Sequence, residues 1–108
     1  TTYRSLLVQL KNTKLVDFDG VVLKDGNIEL TVAKILVNCC MMPAPQNEQY
    51  TEAQVVSRYD LGIQFNKLAV DQIIDITVEQ AAMLKTDVLR GYPPILAGQL
   101  IYALEGKN

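Results

Sequence analysis

The sequence predicts a mainly α protein with a small β-hairpin, an α+β fold in a single compact domain of about four to five helices. Capping threonines and prolines divide the later part of the chain into helices, and two Asp-Gly pairs interrupt a short apolar stretch before them. The chain has 108 residues, of which 49% are hydrophobic and 20% charged. That is enough for one core and too little for two. We therefore expect residues 1–108 to form one domain.

The N-terminal segment allows two interpretations. Tyr3, Leu6, Leu7 and Leu10 have the i, i+3, i+4, i+7 spacing of one helical face. This spacing predicts a short helix, with a strand over residues 6–10 as the alternative.

The two Asp-Gly pairs, Asp19-Gly20 and Asp25-Gly26, predict turns, because glycine takes a positive φ without steric cost. They indicate a hairpin over about residues 20–31, with its own turn at residues 24–27. Phe18 lies just before the first pair, and we expect its side chain to point into the core.

The next segment changes to a helical period at Thr31, and Pro43 and Pro45 end it because proline disfavours helical geometry in the residue before it. Its apolar positions predict a helix that is buried on most of its circumference. They are Val32, Ile35, Leu36, Val37, Cys39 and Cys40.

Two capping boxes, Thr51 with Gln54 and Thr77 with Gln80, predict the next helix starts. The first helix is expected to run to about Leu68 with two apolar faces, one of Val55, Tyr59 and Ile63 and the other of Leu61, Phe65 and Leu68. Between the boxes, residues 72–76 form either a short strand or a buried connector.

The end of the chain predicts a helix pair over residues 77–105. The first helix is expected to end near Leu89, with Gly91 as its stop, and Pro93-Pro94 begins the second. The apolar excess of this pair allows two interpretations, a helix sandwiched in the protein's own core or an exposed interface, and the second predicts most simply a symmetric dimer. The expected interface residues are Val88, Leu89, Tyr92, Ile95, Leu96, Gly98, Ile101 and Leu104, with Gly98 allowing another backbone to approach closely.

Composition excludes several kinds of chemistry. The chain has no histidine, which removes the commonest general base and metal ligand. Cys39 and Cys40 are adjacent, which is not the spacing of a metal or redox pair, so we expect two free thiols, at least one of them buried. No cofactor and no metal is expected. A net charge of −2 gives no reason to bind nucleic acid, and no apolar run is long enough to cross a membrane. We expect a protein of the cytoplasm.

One motif offers an enzymatic alternative. Residues 15–26 read LVDFDGVVLKDG, which resembles the nucleophile loop of haloacid dehalogenase-like phosphatases. That resemblance implies Asp17 as the nucleophile and Asp19 as the acid/base in a small magnesium-dependent phosphoryl-handling enzyme. The fold needs a parallel sheet, however, and the later sequence supplies capped helices instead. Two Asp-Gly turns explain the motif better.

The overall pattern has a second resemblance. The segments LKDGNIELTVAKILVNCC, YTEAQVVSRYDLGIQF and LRGYPPILAGQLIYALEG are together similar to small proteins encoded in tailed bacteriophages and prophages. This resemblance implies a protein of the bacterial cytoplasm that acts by contact with phage or host proteins, as an assembly or host-directed accessory protein. The sequence therefore favours a non-catalytic protein-interaction module over an enzyme.

Overall fold

A computed structural model describes residues 7–107 of the chain. The order of elements is β1 (Leu7–Lys11), β2 (Lys24–Asp25), β3 (Ile28–Glu29), α1 (Val32–Met41), α2 (Glu52–Asn66), β4 (Ile73–Thr77), α3 (Val78–Gly91) and α4 (Pro94–Leu104). The predicted α+β class is confirmed, with four helices in the described part of the chain.

The first described segment is a strand, so the prediction of a helix there is wrong and the alternative is correct. β1 pairs antiparallel with β4, with Leu7 opposite Thr77 and Lys11 opposite Ile73. Leu10 is fully buried while its neighbour on one side, Gln9, is exposed, as the two-residue period of a strand requires. Pairing with a distant segment has overridden the local helical spacing. Tyr3 and Leu6 lie outside the described residues.

The predicted hairpin is present, but its first strand and its turn differ from the prediction. Lys24 and Asp25, which we expected in the turn, form a strand paired with Ile28–Glu29, and Gly26 takes a φ of +64° in the shorter turn between them. The prediction for Phe18 is wrong, because its side chain is 90% exposed. A separate turn causes this: the Asp17 N–H donates to the Val21 carbonyl at 2.9 Å, which places Phe18 at the tip.

The helix starts follow the predicted caps. Thr51 and Thr77 each form a complete capping box with the glutamine three residues later. α1 begins after Thr31, whose side chain accepts from the Lys34 N–H. α3 ends at Gly91, the predicted stop, and Gly91 keeps a negative φ, so this end is not a left-handed glycine cap.

Asn12 joins three elements from a fully buried position. Its Oδ1 accepts from the Ala33 N–H at 2.8 Å, in the first turn of α1. Its Nδ2 donates to the Leu68 carbonyl at 3.1 Å, just after α2. Its main chain bonds to Gln72 and Asp71, just before β4. A single side chain thus ties the end of β1 to both helices.

The core lies between the helices and the inner face of the β1–β4 pair. α1 packs against each of the other three helices, and α4 also contacts β1. The largest fully buried apolar side chains are Leu10, Leu15, Val32, Leu36, Leu61, Phe65, Ile76, Leu84, Val88, Leu100 and Leu104.

Candidate functional site

An open apolar groove of about 750 Å³ lies between α1 and α2 and is called here the α1–α2 groove. The two helices pack closely at its floor, where a Cβ added to Gly62 would lie 3.5 Å from the Cys40 Cβ. Its lining residues are Val37, Cys40, Met41, Met42, Pro43, Tyr50, Val55, Arg58, Tyr59, Gly62, Ile63 and Asn66.

Large apolar side chains are left open to solvent along this groove. Met41 is 73% exposed, Tyr59 68%, Val55 52% and Ile63 38%. Val55, Tyr59 and Ile63 follow one another at four-residue intervals on α2, so they form one continuous stripe. Only the other predicted face of α2, through Leu61 and Phe65, is buried in the core. A contiguous exposed apolar stripe is typical of an interaction surface.

A buried ion pair lies beneath one end of the groove. Arg58 Nη1 donates to Asp87 Oδ2 at 2.7 Å and to the Cys39 carbonyl at 3.3 Å. Arg90, one-third exposed, approaches the other Asp87 oxygen at 3.5 Å and donates to the Pro43 carbonyl. Two guanidinium groups therefore share one carboxylate, which leaves one positive charge beside the groove.

Arg58 keeps its charge despite burial. Removal from water disfavours the guanidinium, but the hydrogen bonds and the charge of Asp87 outweigh it, so the pKa of Arg58 is raised above its ordinary value. The Tyr50 ring covers the guanidinium, with its centroid 4.2 Å from Cζ. The Arg58 Nε is buried and has no hydrogen-bond partner in the described part of the chain.

The two cysteines are free thiols, and both are buried. Burial, with a smaller effect of the Asp87 charge, raises the pKa of Cys39 to about 12. Burial raises the pKa of Cys40 to about 11, and Arg58 opposes this shift. Both thiols are therefore protonated at neutral pH and serve as small apolar groups.

We expect neither thiol to react quickly in the folded protein. Because the thiolate is the nucleophile, these pKa values reduce the reactive fraction at pH 8 by roughly 100-fold or more relative to a free cysteine. Mixing with a chromogenic disulfide reagent should give slow labelling that becomes rapid in denaturant, with Cys40, which lines the groove, ahead of Cys39. Immediate reaction of both thiols in buffer would contradict this.

The DFDG segment forms a tight turn. Asp17 Oδ1 accepts from the Asp19 N–H at 2.8 Å and from the Val21 N–H at 3.0 Å. The Gln99 side-chain amide donates to and accepts from the main chain of Val16, fastening the base of the turn to α4. The sheets of the described residues are both two-stranded and antiparallel, so Asp17 does not follow a parallel strand as the phosphatase loop does.

The predicted C-terminal interface residues are divided between core and surface. Val88 and Leu104 are fully buried in the chain's own core, so they are not available to a partner in this fold. Tyr92, Ile95, Leu96 and Ile101 are half-buried, while Leu89 and Gly98 are exposed. Apart from its chain neighbours and the adjacent backbone of α4, no described atom lies within 4 Å of a Cβ placed on Gly98. Much of the apolar excess is thus covered within the chain, and a dimer through this face stays a prediction.

Arg58, Asp87 and the solvent exposure of the α2 stripe were not predicted from the sequence. A signal for the ion pair existed: Asp87 falls between Leu84 and Val88 on the buried stripe of α3, where a carboxylate needs a partner. The sequence alone does not say which cation supplies it.

Comparison with known proteins adds no relative, since no family model, curated protein or solved structure matches this chain. Within residues 7–107, no cluster of three or more metal-ligating acidic or cysteine side chains is found. No helix over the same residues is long and apolar enough to cross a bilayer.

Proposed function

We propose that this chain is a non-catalytic protein-interaction module, and that the α1–α2 groove is its docking surface. The observation that carries the proposal is the exposed stripe of Val55, Tyr59 and Ile63 facing Met41 across an open groove. Grooves between two helices bind peptides through apolar anchors spaced three or four residues apart. The resemblance to small phage-encoded proteins supports a partner of phage or host origin in a bacterial cytoplasm, as for an assembly or host-directed accessory factor.

The groove offers an unusually well-matched pair of variants for testing this proposal. Val55 and Val56 are neighbours on α2, and both are 52% exposed. Val55 lines the α1–α2 groove, whereas Val56 lies on the other side of α2, towards Gln80. We expect peptides selected from a random library on the wild type to bind Val56→Glu normally. Val55→Glu should bind them at least about tenfold more weakly, because it places a charge in the apolar stripe.

The measurement is a titration of the selected peptides by calorimetry against all three proteins, after circular dichroism has shown that both variants are folded. If the two substitutions weakened peptide binding equally, or if neither weakened it, the groove would not be the docking surface.

The non-catalytic part of the proposal has its own test at Asp17. An asparagine keeps the side-chain oxygen that accepts from Asp19 and Val21, so Asp17→Asn should preserve the turn and change stability by less than about 0.5 kcal/mol. We expect any turnover of a generic phosphate ester with magnesium to be the same in both proteins. Turnover by the wild type that disappears in Asp17→Asn would instead establish the phosphatase alternative.

A further inference from the structure

The Asp17–Gly20 turn carries an aromatic side chain that is not buried in the protein's own core. Phe18 is 90% exposed at its tip, although burying a phenylalanine is strongly favourable. The turn is held by the two bonds to Asp17 Oδ1 and by the clamp between Gln99 and Val16. A rigid aromatic anchor loses little conformational entropy on binding, and such residues dominate the energetics of interfaces.

The chemistry of this turn is complementary to that of the α1–α2 groove. The turn combines one apolar ring with the flanking carboxylates of Asp17 and Asp19. The groove combines an apolar lining with the one positive charge left by Arg58, Arg90 and Asp87. Arg90, at the Pro43 end, is exposed enough to meet an incoming carboxylate. No residue of the turn lines the groove within one chain.

We propose that the α1–α2 groove receives the Asp17–Gly20 turn of a second copy of this chain, with Phe18 against Tyr59 and Ile63 and Asp19 facing Arg90. The contact joins two different surfaces, so after the first contact one copy still has a free groove and the other still has a free turn. Such a contact builds a closed ring or an open chain of copies. This inference rests on the proposed function, since both require the groove to be a docking surface.

The test is sedimentation velocity of the full chain over a range of concentrations. We expect the wild type to form species larger than a monomer as concentration rises. Phe18→Ala removes the anchor and Val55→Glu blocks the groove, and each should weaken self-association at least about tenfold. Phe18 and Val55 are both solvent-exposed, so neither substitution disturbs the core. Val56→Glu is the matched control and should associate like the wild type.

Mixing the two inactive variants distinguishes this contact from other kinds of association. Phe18→Ala keeps an intact groove and Val55→Glu keeps an intact turn, so the mixture should form a one-to-one complex and nothing larger. Added salt should weaken that complex, because opposite charges meet across it. A mixture that stays monomeric would overturn the proposal.

A wild type that is monomeric at all concentrations, or that associates equally well as Phe18→Ala, would also overturn it. These failures are separable from failure of the proposed function, because peptide binding that is lost in Val55→Glu and kept in Val56→Glu would still identify the groove as a docking surface.

Discussion

Asp87→Ala is expected to lower the free energy of unfolding by about 3–5 kcal/mol, because it leaves the Arg58 guanidinium buried without its counter-charge. The pair is well enclosed, with side-chain exposures of 8% for Arg58 and 4% for Asp87 and a closest contact of 2.7 Å. Arg58 cannot shed its proton at any pH where the protein is folded, so the cost cannot be avoided by neutralisation. Urea denaturation followed by circular dichroism would measure the change.

Two further variants distinguish the contribution of the buried Arg58–Asp87 pair from that of the partly exposed Arg90–Asp87 pair. Arg90→Ala removes the second cation near Asp87, but Arg90 is one-third exposed, so we expect a loss of only about 1 kcal/mol or less. Replacing both members of the buried pair, as in Arg58→Met with Asp87→Leu, should cost less than Asp87→Ala alone, since no charge is then left unpaired. If the double variant lost as much stability as Arg58→Met and Asp87→Leu lose separately when added together, this account would be refuted.

Asn12→Ala is expected to cost about 2–4 kcal/mol, because two backbone groups lose their partners inside the protein. Asn12 is 1% exposed, and its amide serves both the Ala33 N–H and the Leu68 carbonyl. Alanine can replace neither bond. The change also removes one of the two side chains that cap α1, leaving Thr31 alone.

The matched control for Asn12→Ala is Asn66→Ala, which makes the same chemical change at an exposed position at the end of α2. We expect that control to shift stability by no more than about 0.5 kcal/mol. The same urea titration serves both variants. If Asn12→Ala lowered the free energy of unfolding as little as Asn66→Ala, water would have to replace the buried amide readily.

Asp87 and Asn12 also matter for the proposed function, because both lie where they can fix the shape of the α1–α2 groove. Arg58 donates to the Cys39 carbonyl in α1, so the ion pair links α1 and α2 to α3 beneath the groove. Asn12 bonds near the beginning of α1 and just after α2, at the other end of the helix pair. Together they hold the spacing of the two helices that line the proposed docking surface. We therefore expect loss of either residue to weaken peptide binding at the groove as well as stability.

The sequence by itself determined the features whose causes lie within a few residues. The capping boxes at Thr51 and Thr77, the hairpin turn at Gly26 and the end of α1 before Pro43 all occur where their local chemistry predicted them. In each case the interacting groups are only a few residues apart along the chain, so the local sequence alone specifies them. The α+β class follows from these local signals.

Only the tertiary structure decided which surfaces are covered. The first described residues form a strand despite their helical spacing, because β1 pairs with β4, which lies far away in the sequence. Phe18 points outward because Asp17 folds the turn back on itself, although the residue type favours burial.

The candidate site depends on the same kind of distant contact. α2 has two apolar faces, and the packing of α1 covers the one with Leu61 and Phe65 and leaves the one with Val55 and Tyr59 open. Arg58 and Asp87, which are 29 residues apart, become partners only when α2 and α3 pack on the same core. Hydrophobic burial is non-directional, so a sequence can show that a face is apolar without showing which neighbour will cover it.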